Sequence, residues 1–158
     1  MKPVIPPPGA SLQTVRAHRS ELRESIAALE QALAGPVPGR VVAWAERVHV
    51  ALVELSADLR ERSEITEGPA GLHREVLTAA PRLAGAVRRL VGEHAQIARL
   101  VEELLAYLSE PLDGDGDGDG VAGVRGLGVA LLGRLVRHRQ AGADMVYEAY
   151  HVDIGGET

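Results

Sequence analysis

"RLAGAVRRLVGEHAQIARLVEELLAYL", residues 82–108, places apolar side chains at alternating steps of four and three: Leu83, Val87, Leu90, Ile97, Val101, Leu104 and Leu108. That spacing is the stripe by which a helix faces its neighbours in a bundle. His94 falls on the same line and is its one polar member. The stretch predicts a long helix, opened by Pro81 at a tolerated first-turn position, with an aliphatic face broken by one imidazole.

The same rhythm extends outward in both directions. "SLQTVRAHRSELRESIAALEQALA" predicts a helix from Ser11 to Leu33, with Ser11 as a possible N-cap and the seam Val15, His18, Leu22, Ile26, Leu29 and Leu33. "GPVPG", 35–39, is too short to do more than reverse the chain into a second helix over about 40–65. "TEGPAG", 66–71, ends that helix, and "LHREVLTAA" reads as a short one before Pro81. Beyond the Asp/Gly tract at 113–120, a last helix over 121–150 carries Val124, Leu127, Leu131, Leu135, His138, Gly142, Met145 and Ala149. The expected architecture is all-α, an up-down-up-down four-helix bundle over residues 11–150. A Pro-rich lead (1–10) precedes it and a Gly-containing tail (151–158) follows.

Composition agrees and narrows the function. The chain has 158 residues, enough for one core, with 46% hydrophobic residues but only 3% aromatic and no Phe. Such a core is built from Leu, Val and Ala. With no Cys, thiolate catalysis, disulfides and zinc-cysteine sites are excluded. No apolar run approaches the ~20 residues of a membrane span, and the N-terminus lacks a signal-peptide core, so a cytoplasmic protein with no membrane partner is expected. A net charge of -5 and a single Lys argue against nucleic acid.

Three helices therefore each turn one His inward, and their heights can be compared. His18 lies 16 residues before Ala34, His94 14 before Leu108 and His138 17 after Val121. At ~1.5 Å per residue these agree within about one turn, so the three imidazoles are expected in one layer. A lone inward His is usually a satisfied core residue; three at one level need a metal or carboxylates to satisfy them. His49, His73 and His151 fall off the seams.

Taken together, His18, "TEGPAGL" closing the second helix, "LVGEH" ending at His94 and "LVRH" ending at His138 resemble the hemerythrin-like, HHE cation-binding family. That resemblance covers about residues 12–150. It implies a four-helix bundle holding non-haem iron through His and carboxylate ligands, with His18, Glu67, His94 and His138 as the metal-ligand set. Two departures stand out. The family's second-helix His and the Glu four residues later have Arg62 and Thr66 in their places, with Glu67 one residue beyond. The carboxylate four residues after the last His is replaced by Gly142. Asp144 and Glu148 are turned away from the direction of His138 by roughly 120° and 80°.

Three functions follow as expectations. One is a hemerythrin-like iron-binding protein, mono- or dinuclear, that binds dioxygen, peroxide or nitric oxide or does redox chemistry. Another is a bundle without metal, with Arg62 in the former site and a protein-interaction role. The third is a His pocket for haem, with room made by Gly142. No catalytic residue is assigned. The run Asp113, Asp115, Asp117, Gly118 mimics the start of a calcium loop, but Val124 stands where its bidentate Glu belongs, which favours a solvated linker.

Overall fold

The computed structural model describes residues 10–37, 39–112 and 119–152. The Pro-rich lead at 1–9, the Asp/Gly residues 113–118 and the tail from 153 lie outside the described residues. The described residues form five α-helices: α1 (Ala10–Ala34), α2 (Val41–Glu67), α3 (Leu72–Ala79), α4 (Ala84–Ser109) and α5 (Asp119–Tyr147). A 3-10 turn, Pro81–Leu83, leads into α4, and a π turn, Glu148–Val152, extends α5. Among the described residues there is no strand. The four long helices form the expected bundle: α1 packs on α2, α2 on α4, α4 on α5 and α5 on α1. Short α3 packs on α1, α2 and the π turn, at one end of the bundle.

Two connections explain how the sequence reaches this layout. At the α1–α2 turn, Gly39 adopts φ 70°, a left-handed conformation that suits glycine. Arg125 of α5 donates to the carbonyls of Leu33 and Gly35, satisfying the end of α1, and lies 5.5 Å over the Trp44 ring. At the α2–α3 turn, a Cβ on Gly71 would sit 2.6 Å from the Thr66 carbonyl oxygen, so the backbone closes there only without a side chain. This tight turn aims α3, and with it His73, back at the bundle. Helix starts differ slightly from the spacing-based boundaries, because Pro81 favours a 3-10 entry over a full α turn.

The core is in two pieces. The larger contains Leu29, Leu33, Trp44, Leu52, Leu55, Leu59, Ile97, Leu104, Leu131 and Leu135; the smaller contains Val15, Leu72, Val76, Leu83, Val87, Leu90 and Met145. Along every long helix a polar side chain on the inward face marks the change from one piece to the other. His18 follows Val15 and precedes Leu22 and Ile26; Arg62 lies between Leu59 and Ile65; His94 between Leu90 and Ile97; His138 between Leu135 and Ala141. A polar layer thus cuts the aliphatic core at one level.

Candidate metal centre

Within that layer the side chains separate into two groups. On the α4–α5 side, the His94 and His138 rings lie with centroids 5.8 Å apart, tilted by 51°. His138 Nδ1 is 3.0 Å from Glu93 Oε2. A carboxylate only accepts, so Nδ1 is the donor in this contact, and Nε2 is the ring nitrogen left to face other groups. Burial lowers the His94 pKa, Glu67 opposes this and His138 adds to it. The net effect favours the neutral form of His94.

His73, which lies off the helical seams, belongs to the same neighbourhood. Its pKa is lowered chiefly by burial, raised by Glu67, and lowered further by His138 and His94. Its Nδ1 is buried without a hydrogen-bond partner. The residue comes from α3, so no periodicity in the long helices could have found it; the signal was the glycine-dependent turn immediately before it. Glu67, the last residue of α2, accepts a hydrogen bond from Ser63 Oγ and exerts its charge on both His73 and His94.

His18 has different company. The residue is 4% exposed, and its Nε2 lies 3.3 Å from Glu61 Oε2 and 3.7 Å from Glu21 Oε2. Neither ring nitrogen makes a hydrogen bond. One ligand atom from each of His18, Glu21, Asp58 and Glu61 lies within 4.8 Å of the others, and among the described residues this is the group of three or more such side chains that meets this condition. It is a group able to hold a metal ion. The expected ligand set is therefore divided: the structure brings His94 and His138 together, with Glu67 near enough to act on His94, and gives His18 to three carboxylates on the α1–α2 side.

The substituted positions have clear surroundings. Arg62 is half-buried, its Nε is buried without a hydrogen-bond partner, and burial, then Arg19, lowers its pKa. A Cβ on Gly142 would meet nothing within 4 Å, so no neighbour there demands a glycine. Asp144 is exposed and bound to Gln140, and Glu148 pairs with Arg82 at 3.8 Å, so neither reaches inward. His49 is solvent-exposed, as its position beside the seam implied. Tyr147 is exposed and stacks on His151.

Comparison with known proteins finds no match to a family model, to a curated protein or to a solved structure. What the chain itself defines is an all-helical bundle with a group of side chains able to hold a metal ion. No helix among the described residues is long and apolar enough to cross a membrane.

Proposed function

We propose that this protein is a hemerythrin-like metal-binding bundle that holds a single iron ion between α4 and α5 and offers it to a small ligand such as dioxygen, peroxide or nitric oxide, in the cytoplasm. The observation that carries this reading is the His94–His138 pair with Glu93 fixing the tautomer of His138. Two imidazoles bound to one ion through bonds of about 2.1 Å place their centroids roughly 5–6 Å apart, close to the spacing observed. His94, His138 and Glu67 would hold the ion, with His73 the nearest further imidazole.

In this reading the centre holds one ion and not two, and Glu67 has to move toward the imidazole pair to complete it. A dinuclear centre needs anionic ligands between its ions, and the positions that would supply them carry Thr66 and Gly142. A bound iron would supply an open coordination position and redox chemistry. The chain's own part is to favour neutral His94 through burial and to hold His138 by Glu93.

Metal analysis and an absorption spectrum of the purified protein test this. The expected result is iron retained on reconstitution, with an iron absorption band that is lost in His94→Ala. A clean absence of iron, manganese and zinc after reconstitution overturns it. Arg62 favours one second reading, a bundle that has given up metal for protein contacts, because a half-buried guanidinium stands at the second-helix position where the resemblance expects a ligand. Such a protein would melt at the same temperature with chelator, with metal and with neither, since only a ligand bound by the native state raises stability.

A further inference from the structure

The geometry points to a second metal site on the α1–α2 side, in which His18, Glu21, Asp58 and Glu61 take a divalent first-row transition ion independently of the imidazole pair. The four residues are two pairs at helical spacing i, i+3, one pair on each of two antiparallel helices. Residues so spaced are neighbours on a helix surface, so each helix presents two donors toward the other. Their ligand atoms already lie within 4.8 Å of one another.

Acidic residues alone would mean little, since carboxylates near a surface are satisfied by water. His18 is the independent observation. It is 4% exposed, and both nitrogens lack a hydrogen-bond partner although Nε2 faces Glu61 at 3.3 Å and Glu21 at 3.7 Å. A buried polar group without a partner is costly, and a cation shared with the carboxylates would satisfy the imidazole and offset their charge.

The remaining features suit an ion. Asp58 accepts from Ser25 Oγ, a buried hydroxyl, which orients the carboxylate as outer hydrogen bonds orient metal ligands. Glu21 and Glu61 have side chains 64% and 56% exposed, giving a way in and freedom to close on the ion. Donors bound at about 2.0–2.2 Å sit roughly 3–4 Å apart, so closing requires only a small movement of these two side chains. One imidazole with three carboxylates selects a borderline ion such as zinc, manganese or ferrous iron over magnesium, which keeps its water and prefers oxygen alone.

Zinc titration of the metal-stripped full-length protein, by calorimetry and by the imidazole nitrogen resonances of His18, tests the site. Wild-type protein should bind zinc with a shift of the His18 resonances. Asp58→Asn with Glu61→Gln should weaken this binding at least about a hundredfold. The exposed single change Glu21→Gln should weaken it roughly tenfold and guards against misfolding of the double variant. His94→Ala with His138→Ala should leave the His18 shift intact. Unmoved His18 resonances at saturating zinc would overturn the inference, as would equal binding by wild type and the Asp58/Glu61 variant. Loss of zinc only in the His94/His138 variant would overturn it while leaving the proposed iron site standing; retention of the His18 shift with no metal at the imidazole pair would do the reverse.

Discussion

The two sides of the polar layer occupy the same level of one bundle yet solve burial differently. On the α1–α2 side a fully buried His18 faces three carboxylates, two of them largely exposed, so the side chains carry negative charge that calls for a cation. On the α4–α5 side the imidazoles are only partly buried, burial lowers the pKa of His94, and Glu93 pairs directly with His138. Equal height therefore does not mean equal chemistry: the flanking residues one turn away decide what each His can do.

The largest effect expected from breaking this contrast is that of Glu93→Gln. An amide in place of the carboxylate no longer fixes the His138 tautomer, and iron affinity at the imidazole pair should fall about 10–100-fold. Zinc binding at His18, measured on the same sample, should not change; a parallel loss on both sides would show that the layer acts as one site.

Arg62→Met sharpens the contrast by removing a half-buried positive charge from α2. The buried Nε makes no hydrogen bond, so the metal-free protein should gain about 1 kcal/mol in chemical denaturation, with a melting temperature higher by a few degrees. A loss of similar size would instead mean that Arg62 secures the layer.

The smallest effect is on pH dependence. His94 and His73 lie below the ordinary imidazole value of 6.5 in the native state. Both are neutral above 6.5 in folded and unfolded chains, so their contribution to stability is complete there. Below 6.5 the unfolded chain takes up protons that the native imidazoles resist, and stability falls until the native values are passed. Denaturation of chelated protein from pH 7.5 downward should show this slope, and His94→Ala should flatten it; an unchanged slope in that variant would assign the loss to other groups.

Much of this was legible in the order of residues. The seams of α4 and α5 mark the residues that are buried or half-buried, including His94 and His138, because a helix repeats its facing positions at a fixed angle. The common level of His18, His94 and His138 also followed from counting, because rise per residue is constant. His73 did not follow, since α3 approaches the bundle end through the Gly68–Gly71 turn, whose direction no helical period records. Glu21, Asp58 and Glu61 were equally hidden: they flank the seams, and following the seams alone passes over them.

By itself, then, the sequence determined an all-helical bundle with an aliphatic core and the level at which that core is interrupted, because those depend on spacing within each helix. Which donors share a site was decided only by the tertiary structure. Pairing α1 with α2 aims His18 at Asp58 and Glu61, and pairing α4 with α5 aims His138 at Glu93 and His94; such directions depend on how helices rotate against one another, a relation between segments that no single segment contains.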